Sequence, residues 1–420
     1  MTEAPSVRYL SPAVHMSLLD DYRAVRARTT ALAAPLSAED QMIQSMTEAS
    51  STKWHLAHTT WFFETFLLGP FAAGYHAVDE RYGFLFNSYY EGVGPRLERA
   101  RRGQLSRPSL AEVQDYRRRV DAAVERWLAG EGTPAAAATI ELGLHHEQQH
   151  QELLLTDVKH ALGLQPLRPA YAPPPASRAT GAPGPARFRR FEAGVVSVGH
   201  AGEGFAFDNE GPRHRHFLEA FALAERPVAA GEYLAFMRDG GYSRAELWLS
   251  DGWQRVQTER WRAPLYWEER DGAWALYTLG GLRAVEPDEA VAHVSYFEAD
   301  AFARWAGARL PTEEEWEQAA SSAPVTGHFA DAGRYHPGPA ARGMFGDVWQ
   351  WTRSAYLAYP GYRPPAGPIG EYNGKFMSGQ MVLRGGSCLT PGGHVRATYR
   401  NFFPPDARWQ MSGIRLARDA

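Results

Sequence analysis

Apolar residues recur at helical spacing over residues 11–35, 51–68, 109–129 and 134–162, and this periodicity predicts four long helices. Ser109, three residues before Glu112, approximates a capping box and marks the start of the third. Ser37, followed by Glu39 and Asp40, predicts a further helix start. Residues 1–165 therefore read as a helix bundle. Between residues 164 and 185 the chain carries seven prolines and few large apolar side chains beyond its first turns, so residues 166–187 read as an extended linker. From residue 188 the pattern changes to short strands, Gly-Gly pairs and scattered tryptophans. Helical spacing there is confined to residues 229–239, 296–306 and 312–320. Thr312 ahead of Glu313, Glu314 and Glu315 predicts a capped helix with an acidic first turn, as the helix dipole favours. No repeat of fixed period appears, and residues 188–420 are expected to form an irregular α+β domain rich in loops.

Composition narrows the classes this pattern can serve. At 420 residues, with 44% hydrophobic and 22% charged, the chain is too long for one core and too apolar for disorder. Lys+Arg (44) nearly balance Asp+Glu (48), which gives no electrostatic reason to bind nucleic acid or an anionic membrane. The basic side chains are almost all arginine, with only Lys53, Lys159 and Lys375 as lysines; this reads as coding bias. Cys388 stands alone, so no internal disulfide can form and a reducing compartment is expected. The apolar stretch at residues 66–73 is interrupted by Gly69 and Pro70 and falls short of the ~20 residues of a membrane span. Residues 1–5 lack the charged and apolar regions of a signal peptide. A cytoplasmic location is the simplest expectation.

The fourth predicted helix carries the densest chemistry, His145-His146-Glu147-Gln148-Gln149-His150-Gln151-Glu152. His146 and His150, four apart, share a face at a spacing at which two imidazoles hold one metal ion. His146-Glu147-x-x-His150 also matches the zincin pattern, in which the glutamate is a general base, but the extended form with a third histidine is absent. A solvated polar face is the plain alternative. Against it, Gln148, Gln149 and Gln151 crowd a helix that otherwise runs Ile140, Leu142, Leu144, Leu153 and Leu154, and polar groups in such a setting need partners. A third ligand has candidates in Trp54-His55-Leu56-Ala57-His58-Thr59-Thr60-Trp61-Phe62-Phe63-Glu64, where His58 and His55 compete; either is otherwise a core histidine with its own partners.

These two stretches resemble the N-terminal metal-binding bundle, of DinB type, of the ergothioneine-biosynthesis sulfoxide synthases. The C-terminal half resembles the formylglycine-generating-enzyme fold, related to C-type lectins, that the same family carries. The resemblance rests on Gly231-Glu232-Tyr233, Arg309-Leu310-Pro311-Thr312-Glu313-x-Glu315-Trp316-Glu317, Gly346-Asp347-Val348-Trp349-Gln350-Trp351-Thr352, Leu383-Arg384-Gly385-Gly386-Ser387 and Gly413-Ile414-Arg415. The fold class it implies is a DinB-like four-helix bundle over residues 1–165 followed by a formylglycine-generating-enzyme-like domain over 188–420. Formylglycine-generating enzymes work through a cysteine pair, which Cys388 alone cannot supply, so the second fold is expected to serve as lid and substrate platform.

Carried onto these positions, the resemblance makes His58, His146 and His150 the ligands of a non-haem Fe(2+), with His55 and His145 as neighbours. Three neutral imidazoles suit Fe(II) and leave positions open. Asn87-Ser88-Tyr89-Tyr90-Glu91-Gly92 resembles the subgroup with paired active-site tyrosines, which assigns proton donation to Tyr89 and Tyr90. The other subgroup carries its tyrosine near Pro368-Ile369-Gly370-Glu371-Tyr372, where the expected residue before Glu371 is missing. Tyr399-Arg400-Asn401-Phe402-Phe403 resembles the loop that binds hercynine, with Asn401 and Gln149 hydrogen-bonded to the betaine, directly or through water, and Phe402 and Phe403 toward the quaternary ammonium. Phe403 replaces the aspartate of the γ-glutamylcysteine-using subgroup, which points to free L-cysteine as donor; Arg96 and Arg99 are candidates for its carboxylate, or else solvated arginines of a basic run (Arg99, Arg101, Arg102). The implied reaction joins cysteine, hercynine and O2 to give hercynylcysteine sulfoxide, in a possible homo-oligomer. The alternatives are another donor or acceptor (γ-glutamylcysteine, histidine, a selenosugar), a zinc hydrolase built on Glu147, or a binding module without turnover.

Overall fold

The computed structural model describes residues 12–130, 133–174, 184–202 and 204–420. The N-terminal five residues and the middle of the proline-rich run lie outside the described residues. The chain divides into two units: Met1–Ala161 with Ala366–Glu371, and Leu162–Pro365 with Tyr372–Ala420.

The first unit is organised by its second helix. Helices α1 (Pro12–Ala33) and α2 (Thr52–Phe63) come first, and every residue of α2 is buried. A helix covered on all sides must satisfy its polar side chains within the protein. Thr59 and Thr60 donate to the carbonyls of His55 and Leu56 one turn back, at 3.2 and 2.8 Å. Lys53 Nζ donates to the carbonyls of Leu105 and Pro108, at 2.6 and 2.7 Å. The helix then widens into a π-turn over Glu64–Leu68 before the short α3 (Gly69–Phe71) and, further on, α4 (Arg81–Phe86). Glu64, buried in that turn, accepts from the hydroxyls of Tyr75 and Tyr116 and from the Val78 amide.

Helix α5 (Leu110–Leu128) starts on the expected capping box, Glu112 N donating to Ser109 Oγ and Ser109 N to Glu112 Oε2. It buries Val113, Tyr116, Val120, Val124 and Trp127, a three-four spacing that makes one stripe. Helix α6 (Pro134–Leu164) completes the set of four long helices. On it, a Cβ at Gly143 would fall 2.5 Å from a Phe63 ring carbon and 3.1 Å from one of Phe62, so glycine is what admits those rings one turn ahead of His146. The helix start read at Ser37 is a single 3-10 turn, Asp40–Met42. Ser37 and Asp40 do bond each other reciprocally, but Gln41 turns back to the carbonyls of Ala33 and Leu36, so the turn closes the end of α1 rather than opening a new helix.

The second unit is built from small sheets. Strands β1 (Phe188–Phe191), β4 (Phe221–Ala224) and β14 (Ala417–Asp419) form an antiparallel sheet in the order β1-β4-β14. β2 (Gly194–Val198) and β3 (His214–Leu218) form a hairpin, and β5 (Trp267–Arg270), β6 (Ala273–Thr278) and β7 (Gly281–Ala284) a meander. β8 (Gly327–His328) pairs with β9 (Phe345–Gly346). A four-stranded sheet in the order β12-β11-β10-β13 joins Asn401–Phe403, Met381–Arg384, Trp349–Ala355 and Ser412–Gly413. Helices α7 (Ala230–Arg238), α8 (Ser250–Glu259), α9 (Tyr296–Trp305) and α10 (Glu313–Ala320) accompany them. The sequence pattern does not announce α8.

Residues from four of the five motifs of this half meet in buried polar networks. Gln350 Oε1 accepts from Trp316 Nε1 and Arg415 Nε, each at 2.6 Å. Arg384, fully buried, donates to Glu313 and Glu317, and Arg400 donates to both oxygens of Glu313. Burial alone would raise the Glu313 carboxyl, but Arg400 and Arg384 outweigh it and hold the group below its ordinary range. These motifs therefore hold the fold together through paired charges.

Candidate metal centre

His58 of α2 and His146 and His150 of α6 converge so that one ring nitrogen of each lies within 4.8 Å of the others, the one such histidine, cysteine or carboxylate group among the described residues. His58 Nε2 and His146 Nε2 stand 3.1 Å apart. The other nitrogen of His58 faces the Phe86 carbonyl at 2.6 Å. His55, the competing residue, sits behind the group: its Nδ1 is 2.9 Å from His150 Nδ1 and its Nε2 is 3.0 Å from Asp157 Oδ2. Aromatic rings wall the cluster, with Trp54 stacked on His58 at 4.5 Å, Trp61 on the same imidazole at 5.6 Å, and Phe62 4.5 Å from His146. This apolar burial pushes His58 and His150 well below the ordinary imidazole range, and His146 down to about 3. All three are neutral near pH 7. Three converging imidazole donors with no carboxylate among them fit a divalent first-row metal.

Glu147 does not join them. It is fully buried, with Arg26 Nη1 donating to Oε2 at 2.8 Å and Arg117 Nη2 to Oε1 at 2.5 Å. Burial alone would raise its carboxyl, but Arg117 and Arg26 reverse the sign and bring it down to about 2. A carboxylate saturated by two guanidiniums takes no proton from water at neutral pH, which removes the general base that the zinc-hydrolase reading requires.

Tyr89 and Tyr90 stack at 4.7 Å on a loop that Asn87 fixes, its Nδ2 donating to the Tyr90 carbonyl and its Oδ1 accepting the Tyr90 amide. Tyr90 is fully buried, its ring 5.8 Å from Trp61. Behind the pair, the amides of Glu91 and Gly92 donate to the Glu371 carboxylate at 3.0 and 2.7 Å. The segment Ala366–Glu371 thus belongs to the bundle unit although it is carried by the C-terminal half of the sequence. Gln149 is half-buried between the two α6 histidines in sequence. Arg96 pairs with Glu91, and the exposed Arg99 donates to the Glu48 carbonyl.

Arg102, read from sequence as one more residue of that basic run, is 4% exposed. Its guanidinium lies 3.6 Å over the Trp54 ring, donates to Ser50 Oγ at 3.0 Å, and leaves Nε without a partner. Burial, and then the like charges of Arg99 and Arg96, hold its pKa well below the ordinary guanidinium value. Spacing within a 3-10 turn gave no helical signal that would have marked it as an inward position.

In the second unit, Asn401, Phe402 and Phe403 form β12 and are half-buried. Asn401 Oδ1 accepts the Phe402 amide, Phe402 stacks on Tyr356 at 4.0 Å, and Phe403 meets the edge of Trp409 at 5.7 Å. One face of Phe402 is therefore already covered. The acidic loop at Asp208 and Glu210 is taken up by donors: Asp208 accepts from Tyr362 and Asn373, and Glu210 from Thr398, Arg396 and the Phe207 amide.

Residues 21–154 match the DinB superfamily, and residues 184–341 and 340–420 match the sulfatase-modifying factor enzyme 1-like domain. A hercynine oxygenase of Mycobacterium tuberculosis is 33% identical over 359 residues, 78% of this chain and 83% of that protein. The chain belongs to the hercynine oxygenase family. A hercynine oxygenase of Mycolicibacterium thermoresistibile is 35% identical over 68% of this chain and 70% of its own length. The formylglycine-generating enzyme of Streptomyces coelicolor is 28% identical, over 59% of this chain and 96% of that protein. Within the hercynine oxygenase family, an oxygenase role in ergothioneine biosynthesis follows for the fold pair seen here. Cys388 is fully buried, its amide bonded to the Asp347 carbonyl. Among the described residues no helix is long and apolar enough to cross a membrane.

Proposed function

We propose that the chain is an Fe(II)-dependent sulfoxide synthase that joins the sulfur of L-cysteine to C2 of the hercynine imidazole and oxidises the same sulfur. In the balanced reaction the C2–H and S–H bonds break, the C–S and S–O bonds form, and O2 leaves one atom in the sulfoxide and one in water. The observation that carries the reading is the convergence of His58, His146 and His150 as neutral donors in an aromatic pocket. Bound there, iron(II) would supply a site that brings thiolate, imidazole and O2 together.

The chain's own groups supply binding and protons. Tyr89 and Tyr90 are the proton donors, held by Asn87 and by the bond from Glu371 to the following turn. Gln149 is assigned to hercynine, as are Asn401, Phe402 and Phe403 by family resemblance. Arg102, a buried cation with like-charged neighbours in Arg96 and Arg99, supports an anionic substrate group, the cysteine carboxylate. Phe403, in place of an acidic residue, supports free cysteine over γ-glutamylcysteine.

The test is anaerobic reconstitution with Fe(II), followed by oxygen uptake and product mass spectrometry with hercynine plus cysteine, and in parallel with γ-glutamylcysteine and with histidine. Oxygen consumption with a hercynine–cysteine sulfoxide adduct is the expected result. Thiol oxidation without an adduct would overturn the acceptor, a larger rate with γ-glutamylcysteine the donor, and absence of uptake by the iron-loaded protein the reaction itself.

A further inference from the structure

His55 and Asp157 form a buried pair that the reaction as proposed does not use. They are 3% and 7% exposed, and they come from different helices, α2 and α6. A line of hydrogen bonds runs through them. Asp157 Oδ2 accepts the Ser50 amide at 2.8 Å and meets His55 Nε2 at 3.0 Å; His55 Nδ1 meets His150 Nδ1 at 2.9 Å.

The chemistry of the donors gives this line a direction. A carboxylate only accepts, so His55 carries a hydrogen on Nε2. A singly protonated His55 then has its lone pair on Nδ1 and accepts from His150 Nδ1–H. His150 is left with its lone pair on Nε2. The opposite order would put the hydrogen on His150 Nε2 and leave its one lone pair engaged by His55, with no nitrogen free to ligate. His58 reaches the equivalent state in one link, by facing the Phe86 carbonyl at 2.6 Å.

We propose that Asp157 and His55 are positioning residues that hold His150 in one tautomer and one ring orientation, so that its Nε2 is presented to the metal. The proposal rests on the metal reading above. Ligating histidines commonly donate their second N–H to a carboxylate or carbonyl, and loss of that partner typically weakens metal binding 10–100-fold. Here a second imidazole is interposed, which transmits the carboxylate's orienting effect while keeping its negative charge out of contact with the ligand.

The full-length chain, its H55F and H55Q variants, and a H58A control would be titrated anaerobically with Co(II), reading affinity and the visible spectrum. In the metal-free proteins the His150 tautomer would be read from imidazole nitrogen shifts. H55F removes the acceptor and is expected to weaken Co(II) about 10–100-fold and to mix the His150 tautomers. H55Q offers Oε1 to His150 Nδ1–H and is expected to recover most of both. A pure packing role would rank the variants the other way, with phenylalanine the better filler of a buried site. If H55F does not fold, D157N, which is isosteric, is expected to show several-fold weaker binding. Equal affinity and an unchanged His150 tautomer in the variants would overturn the proposal. Failure of the wild-type chain to bind Co(II), or binding unaffected by H58A, would instead overturn the metal reading.

Discussion

Arg26 and Arg117 end on Glu147, whereas Arg102, as deeply buried in the same unit, ends on no carboxylate among the described residues. The two regions treat a buried guanidinium in opposite ways. Glu147 takes one donor from each of two arginines, Arg26 has a second acid in Asp121 at 2.7 Å, and Arg117 also reaches the Arg26 carbonyl. For Arg26, burial alone would lower the pKa, but Asp121 and Glu147 reverse it upward. That cluster is paired charge for charge, although Arg117 Nε has no partner, and it ties α1, α5 and α6 together. Among the described residues, the direct contacts of Arg102 are an indole face, one hydroxyl and a carbonyl at 3.5 Å, and the Asp157 charge acts on it without an ion pair. A buried charge without a counter-charge is costly to the fold, and it is worth keeping where a ligand brings the missing charge.

The largest effect expected from breaking this contrast lies in the paired cluster. Arg117→Met strands Glu147 beside one arginine and should cost about 3–5 kcal/mol in urea denaturation. The same cluster sets an acid limb. The Glu147 carboxyl falls from 4.5 to about 2 on folding, so the unfolded chain binds that proton more readily than the native one. Its contribution is complete above pH 4.5 and is lost as pH falls toward 2, roughly 3 kcal/mol in all. Denaturation followed across that window should show the loss in the wild type and a flatter limb in Glu147→Gln, while Arg102→Met keeps the wild-type slope.

Arg102→Met should in turn leave stability unchanged or higher and raise KM for cysteine about 10–100-fold in steady-state oxygen uptake, the size expected for a charge-assisted pair. A stability loss like that of Arg117→Met with no change in KM would erase the distinction between the two regions. The smallest change is Ser50→Ala, which removes the closest acceptor of Arg102 and should cost about 0.5–1.5 kcal/mol by thermal denaturation.

Much of this architecture is legible in the chain itself. The four long helices follow from apolar periodicity, and His146 and His150 announce themselves because four-residue spacing is a single-helix property. Relations between helices leave no such mark. Asp157, at a spacing that does not suit the extended zincin form, stands two turns after His150 on one face of α6, and nothing in the sequence shows that it meets His55 of α2 at 3.0 Å. Arg102 sits in an arginine run that reads as solvated, and only the placement of Trp54 shows which member turns inward. Ser37 carries a correct start signal for a helix that does not continue, because Gln41 is used to close α1. Glu147 matches a catalytic motif by position, and two arginines distant in sequence decide its role.

The bond from Glu371 to the turn behind Tyr89 and Tyr90 joins residues 279 and 280 positions apart. It bears on how the gene can be cut. An open reading frame ended in the proline-rich segment would encode four helices and still omit a part of the first unit, Ala366–Glu371, whose acid fastens the tyrosine loop. Splitting this enzyme into two expressed halves at its obvious seam therefore deprives the helical half of a component that a circularly permuted or grafted version would have to restore.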